Sequence, residues 1–307
     1  MNKYRDRIIN MGTKNNSRIV LPEISDKRIQ EASSELSSMG FHILNPGDFQ
    51  NKMGYYLDYI NDLTFTKNWP MKSLKEYLDD PIHFSMTMLA CDDADGVVAG
   101  AVTSSSEVIR SAIRIIGIIP SSQWVSSIFF LISPNGEQAY TFGDCAVMPE
   151  PDSKQLARIG YDSANFHTLI SGEEARVAFL SFSTKGSANH YRVDKVKNAI
   201  SIFDQNFSHI IHDGELQVDS AVIPEICQIK SPDSPLEGRA NVLIFPNLDA
   251  GNIAYKIVQH MGGYSAWGPL LQGLNKPIHD LSRGCSVDDI INVTAIASMQ
   301  NHCHAHI

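Results

Sequence analysis

The chain lacks an apolar run of about 18 residues, so no membrane-spanning helix is expected. Its opening residues, MNKYRDRIINMGTKNNSR, lack the apolar stretch of a signal peptide. The five cysteines (Cys91, Cys145, Cys227, Cys285 and Cys303) are odd in number and include no Cys-x-x-Cys pair. Neither a disulfide frame nor a zinc site is therefore suggested, and a reducing cytoplasm is the expected compartment. Positive charge is in short supply: Lys+Arg number 25 against 34 Asp+Glu, a formal net charge of −9. Such a chain is poorly suited to non-specific nucleic-acid binding or to an anionic membrane surface. An anionic ligand would have to be met by a local arginine cluster. Internal repeats and low-complexity tracts are also missing. With 43% hydrophobic and 19% charged residues, the 307-residue composition is globular and excludes disordered and fibrous classes. At roughly 150 residues per domain, two domains are expected.

What is present is an alternation of short apolar runs with longer amphipathic segments. RIVLP (18–22), FHIL (41–44), DGVVAGAV (95–102), VSSIFFLISP (125–134), QAYTFGD, RVAFLSF (176–182) and NVLIFP (241–246) predict strands. Helices are predicted over 27–40, 104–117, 153–170, 189–205, 251–261 and 286–299, and SLKEYLDDPIHFSMTMLACDD predicts a helix broken near Pro81. This alternation argues for an α/β fold with mostly parallel sheets. Ligands of such sheets sit beyond the carboxyl ends of the strands, so candidate residues are sought in the loops entering the next helix.

Three such loops could hold an anion. In AVTSSSEVIR, Ser104 and Glu107 have capping-box spacing, and a helix start offers free N–H groups to an anion. Arg110 lies two turns further in; from spacing alone a plain N-cap with a solvated arginine is the favoured reading. LSFSTKGSANH (180–190) leads from a strand into Ser, Thr, Lys and Gly, which can cradle phosphate oxygens or form an ordinary polar loop. It lacks Walker A spacing. In NKPIHDLSRGCSVDDIINV (275–293), Ser282 and Arg283 precede Gly284, while Ser286 and Asp289 form a second capping box. Asp289 thus has a structural role open to it, and Cys285 reads as a small buried hydrophobe before a nucleophile. HDGELQVD (212–219) clusters Asp213, Glu215 and Asp219, as a metal or acid/base set would, or as a strand end followed by a cap would. The tail NHCHAHI (301–307) holds three His and one Cys and reads as a terminus before a metal site.

The block HDLSRGCSVDDI resembles the signature of the phosphate acetyltransferase (phosphotransacetylase) family, within the wider phosphate acetyl/butyryltransferases. So do DGVVAGAVTSSSEVIR, GDCAVMPEP, FLSFSTKGSANH, HDGELQVDSAVIPEI, SPLEGRANVLIFPNLDAGNIAYKI and GPLLQGLNKPIHDLSRGCS. The resemblance runs almost continuously from Asp79 to Gln300 and reappears at RIVLPEISDKR (18–28). It implies two α/β domains with mostly parallel sheets and an interdomain cleft, as in isocitrate and isopropylmalate dehydrogenases. Residues 1–120 plus 272–307 would form the first domain and 121–271 an inserted second.

The implied activity is reversible: acetyl-CoA and phosphate give coenzyme A and acetyl phosphate, by direct thiolate attack in a ternary complex. The resemblance implies coenzyme A as a substrate, no prosthetic group, no metal, no nucleic-acid or membrane partner, and a cytoplasmic homodimer. Carried over by position, Asp289 would take the thiol proton and Ser282 would hydrogen-bond the reacting carbonyl oxygen. Arg283 and Arg110 would bind phosphate, Arg28 would be a further substrate-binding arginine, and Ser104 would lie in the polar turn beside Arg110. These residue types suit the chemistry. A free thiol ionises near pH 8.5 and benefits from a base. A developing oxyanion is stabilised by a hydroxyl, and an acyl phosphate by arginine forks.

Two features depart from the family. The stretch MGFHILNPGDFQNKMGYYLDYI is shorter by about one βα unit and passes from strand straight into a Pro-Gly turn. A further substrate-contacting arginine of the family falls at Thr64, with Lys67 close by. These departures favour one alternative, a non-catalytic paralogue that binds coenzyme A or acetyl phosphate, against which the Ser282–Arg283–Asp289 set argues; the other alternative is a preference for propionyl or butyryl groups.

Overall fold

The structure, a computed structural model, describes residues 2–300; the His/Cys tail 301–307 lies outside the described residues. The chain opens with α1 (Lys3–Asn15), β1 (Arg18–Val20), α2 (Lys27–Ser38) and β2 (His42–Leu44). A 3-10 helix (Pro46–Lys52) leads to α3 (Met53–Asn61), α4 (Met71–Leu78), α5 (Pro81–Ala90), β3 (Gly96–Ala99) and α6 (Ser105–Ile115). The middle of the chain supplies β4 (Ser126–Ile132), β5 (Ala139–Gly143), α7 (Ser153–Ser171), β6 (Arg176–Leu180), α8 (Tyr191–Phe207) and β7 (Ile211–Leu216). There follow α9 (Val218–Val222), α10 (Pro224–Lys230), β8 (Val242–Ile244), α11 (Leu248–His260), β9 (Ser265–Gln272), β10 (Ile278–Asp280) and α12 (Val287–Gln300). Two compact units result: residues 2–4 with Trp124–Trp267, and Arg5–Gln123 with residues 268–300.

The second of these carries a four-stranded, wholly parallel sheet in the order β10-β3-β1-β2. Ile19, Val20, Val97, Val98 and Ile278 are buried, as parallel strands covered on both faces require. The apolar run at 95–102 yields only four residues of strand, because Gly100 turns the chain at φ +105°. A Cβ there would stand 2.3 Å from Asp280 Oδ1 and 2.8 Å from the Leu281 backbone, so this close approach demands glycine. Helix α12 is buried on every side from Ile290 onward and packs against α2, β1, β3 and β10. Asp80 caps α5 by accepting from the Ile82 and His83 N–H groups, with Pro81 in the first turn, which accounts for the helix break read near Pro81.

Helix α1, the 3-10 helix and α3 escape the hydrophobic pattern. Helix α1 is polar overall, yet its Gly12 carbonyl accepts from Ser298 Oγ at 2.8 Å, and a Cβ at Gly12 would meet the Phe41 ring and the Ala295 carbonyl. Where a Pro-Gly turn is expected after β2, Pro46 and Gly47 open the 3-10 helix that leads into α3, and these bury Pro46, Tyr56, Leu57 and Ile60.

The other unit is built on six strands in the order β7-β6-β8-β5-β4-β9. The β4–β5 pair is antiparallel, while β5–β8, β8–β6 and β6–β7 are parallel. Alternation along the strands feeds two cores. Val177, Phe179, Val242 and Ile244 join Leu156, Ile159 and Phe203 of α7 and α8. Ala178, Leu180, Leu243 and Phe245 join Leu216, Ala221 and Tyr255.

Candidate active site

The carboxyl ends of β10, β3 and β1 lie side by side, so the turns that follow them are neighbours. The turn after β3 runs from Gly100 to Ser104. Ser104 caps α6, its Oγ accepting from Glu107 N at 3.4 Å and lying 3.0 Å from Ser106 Oγ. Only that half of the expected capping box forms. The Glu107 carboxylate instead meets Arg110 at 2.8 Å and His83 Nε2 at 3.5 Å. Arg110 is half exposed, so this ion pair is weak and an arriving anion can displace it.

The turn's own amides are already committed. Gly100 N and Ala101 N donate to Glu23 Oε2, and Val102 N and Thr103 N donate to Glu23 Oε1, all at 2.7–2.9 Å. Glu23 is buried in the turn after β1. The anion cradle anticipated here is thus partly filled from within, and free N–H capacity begins at Ser104.

The turn after β10 carries Ser282, Arg283, Cys285 and Asp289. Ser282, Arg283 and Gly284 are exposed, and Ser282 Oγ accepts from Gly284 N at 3.3 Å. The Arg283 guanidinium makes no hydrogen bond or ion pair among the described residues. Asp289 Oδ2 accepts from Ser286 N and Oγ at 2.9 and 2.8 Å, while Ser286 Oγ accepts from Asp289 N at 3.2 Å. This is a complete capping box made with one carboxylate oxygen; Oδ1 carries no hydrogen bond among the described residues. Structural and chemical roles for Asp289 are therefore compatible. Burial pushes the Cys285 thiol up to about 11, against the opposing pull of Arg28, so it is a poor nucleophile at neutral pH.

Arg28 joins the turns. Its Nε and Nη2 grip both oxygens of Asp26, Nη2 also donates to Ala101 O, and Nη1 donates to Arg283 O and Cys285 O. The guanidinium bond holds the Asp26 carboxyl below the usual range. Beneath them lies Asp280, fully buried, approached only by the Ser105 hydroxyl and the Leu281 amide and by neither in close hydrogen-bonding geometry. Burial raises its carboxyl to about 7; the Ser105 hydroxyl opposes that rise and the charge of Glu23 adds to it. Glu23, Asp26, Asp280 and His83 were not singled out from the sequence. Glu23 and Asp26 stand in the block RIVLPEISDKR, but only their partners' positions in space reveal what they hold.

The remaining candidates among the described residues make no hydrogen bond to these turns. Thr64 and Lys67 are exposed in the turn between α3 and α4, where Thr66 hydrogen-bonds back to Ile60 O and Leu63 O and Arg114 sits over the Phe65 ring. In the other unit, the Lys185 ammonium is paired with Asp213, and Glu215 accepts from Ser183 Oγ and Gly186 N. Asp219 pairs with Lys230 at 2.7 Å. These acids neutralise nearby cations and cap donors, and no group of three or more His, Cys, Asp or Glu poised for a metal occurs among the described residues. No helix among them is long and apolar enough to cross a membrane.

Residues 33–298 match the family described as phosphate acetyl/butaryl transferase. The chain is 39% identical over 320 residues to the phosphate acetyltransferase of Thermoanaerobacterium thermosaccharolyticum, covering 95% of this chain and 98% of that one. Among solved structures it is similar to the EutD phosphotransacetylase from Staphylococcus aureus (TM-score 0.86, 35% identity, 97% of this chain and 99% of that one). It is likewise similar to a phosphotransacetylase from Streptococcus pyogenes (TM-score 0.88, 32% identity, 98% of each chain). The chain belongs to the phosphate acetyl/butaryl transferase family.

Proposed function

We propose that this member of the family is an acyltransferase that moves an acetyl group reversibly between coenzyme A and phosphate. One observation carries the reading. The turn that bears the family's signature, Ser282–Asp289, presents an uncommitted guanidinium, an exposed hydroxyl and a carboxylate with one oxygen unused by its cap.

In the proposed ternary complex, Arg283 and Arg110 hold the acyl phosphate, which as a dianion favours guanidinium forks. Free N–H groups at the Ser104 helix start add to that hold. Asp289 takes the proton of the coenzyme A thiol through Oδ1. The sulfur then attacks the acetyl carbon, and Ser282 hydrogen-bonds the carbonyl oxygen as charge develops there. Collapse of the tetrahedral intermediate breaks the acyl–oxygen bond; acetyl-CoA forms, and the departing phosphate takes up the proton that Asp289 gives back. No acyl-enzyme is required, which fits the burial of Cys285. Coenzyme A serves as substrate, no prosthetic group enters the steps, and the unpaired cysteines suit a reducing cytoplasm.

The assembly proposed is a homodimer. Ile253 and Ile257 of α11 and Met261 at its C-cap form an exposed apolar stripe, 58%, 50% and 83% accessible, of the kind a second copy would cover. Light scattering that returned the monomer mass would remove this element.

The activity is tested by following thioester absorbance with acetyl, propionyl and butyryl phosphate. Turnover with acetyl as the best substrate is expected. A butyryl optimum would move the chain toward longer acyl groups, and no turnover with any of them would favour a non-catalytic binding protein.

A further inference from the structure

Arg28 has five N–H donors, as every guanidinium does. Five internal acceptors surround it: both Asp26 oxygens and the carbonyls of Ala101, Arg283 and Cys285, at 2.7–3.1 Å. Nothing is left over for a substrate anion, and the Asp26 carboxylate already balances the charge. An arginine placed to bind phosphate would present an open fork, as Arg283 does. Arg28 instead reaches two turns that lie far apart in sequence, 73 and 257 residues away, and ties them together. Glu23, from the same β1–α2 connection, fixes the four successive amides of one of those turns. Its two oxygens have four lone-pair sites, and all four are used.

We propose that Glu23 and Arg28 form a positioning clamp that sets the Ser104–Arg110 turn against the Ser282–Asp289 turn, and that Arg28 is not a substrate ligand. This rests on the acyl-transfer reading only for what the two turns do. The physical logic is that of preorganisation. An anion held by groups on the β3–α6 turn must meet a carbonyl-polarising hydroxyl and a base on the β10–α12 turn. A displacement of about 1 Å between them costs about two orders of magnitude in rate while leaving each substrate's own contacts in place. Carbonyl oxygens and amides cannot be varied by mutation, so the two side chains that grip them are where the clamp can be opened.

The test compares Arg28→Lys, Arg28→Ala and Glu23→Gln with the parent by steady-state kinetics in both substrates, alongside amide hydrogen exchange. Lysine keeps the charge but has neither the fork nor five donors. In Glu23→Gln the carboxamide would turn an N–H group toward amides that need an acceptor. The clamp predicts that all three variants lose kcat by tenfold or more, with the KM for coenzyme A and for acetyl phosphate each within threefold of the parent. Arg28→Lys is further expected to speed exchange in both 100–104 and 283–286 while leaving the helical core unchanged. A KM rise of tenfold or more for one substrate in Arg28→Ala, with kcat kept, would make Arg28 a substrate ligand and overturn the proposal. So would parental kcat, or unaltered exchange in either turn. Should the Ala variant not fold, Asp26→Asn serves. Asn still caps α2 but cannot hold the guanidinium by two carboxylate oxygens, and a kcat loss of threefold or more without a KM change is expected. If the parent itself shows no turnover, the acyl-transfer reading fails while the exchange measurement still decides the clamp.

Discussion

Two turns of nearly the same composition follow strands in the two units: Ser183-Thr184-Lys185-Gly186-Ser187 and Ser282-Arg283-Gly284-Cys285-Ser286. Each offers hydroxyls, a cation and a glycine beyond a strand, and each reads as an anion site. Their surroundings separate them. In the first, Asp213 neutralises Lys185, and Glu215 takes the Ser183 hydroxyl and the Gly186 amide. In the second, the nearby acids are spent otherwise: Glu23 on the amides of 100–103, Asp26 on Arg28, and Asp289 partly on its own cap. Arg283 is left uncommitted. On the proposed reading, an anion site is defined as much by where the protein's acids point as by which cations a loop contains, and in a chain of net charge −9 that is the scarcer condition.

The largest effect that would sharpen the contrast belongs to Asp289. Asp289→Asn keeps an acceptor for the Ser286 amide but cannot take a proton. The variant should melt near the parent temperature and lose about 10²–10⁴ in kcat; activity within threefold of the parent would reduce Asp289 to a cap. Ser282→Ala should follow with a loss on the order of 10²–10³, from the missing oxyanion partner.

A smaller effect is expected at Thr64. If the site lacks one charged contact there, Thr64→Arg should tighten acetyl phosphate by about 1–3 kcal/mol, measured as a lower KM. An unchanged KM would mean that Lys67 or another group already fills the place.

The smallest effect concerns stability rather than turnover. The Asp280 carboxyl is raised to about 7. Its contribution is therefore fully present below about pH 4, the unfolded carboxylate range, and is lost as pH rises through about 7. Asp280→Asn mimics the neutral acid and should remove that loss. The difference in Tm between variant and parent should grow in the variant's favour from pH 5 to pH 8, and parallel curves would show that Asp280 stays charged. Comparing the two proteins cancels the opposite trend from buried His167 and His279, whose imidazoles are depressed to about 4 and which destabilise the fold as pH falls.

Much of this architecture is legible in the sequence, because strands such as 176–180 and 242–244 are short apolar runs between amphipathic helices. Helix α1 is not, since its polar composition hides the Gly12 face that meets Phe41. The 46–61 segment misleads because Pro46 and Gly47 open a 3-10 helix instead of ending an element. The proposed site residues are legible through family blocks and capping signals. The clamp is not, because Arg28 is bonded to carbonyls 255 and 257 residues away, and a carbonyl oxygen has no letter in a sequence. Asp280 reads as an ordinary strand end until its burial is seen.

The most direct measurement of the central claim pairs Arg283→Ala with Lys185→Ala and determines the KM and kcat/KM for acetyl phosphate in each. Losing an uncommitted guanidinium that binds the anion should lower kcat/KM by about 10–100-fold, the worth of a charged hydrogen-bonded contact. Losing Lys185, whose charge Asp213 already balances, should leave the value within about threefold. The opposite pattern, with Lys185→Ala impaired and Arg283→Ala at the parent level, would contradict the account.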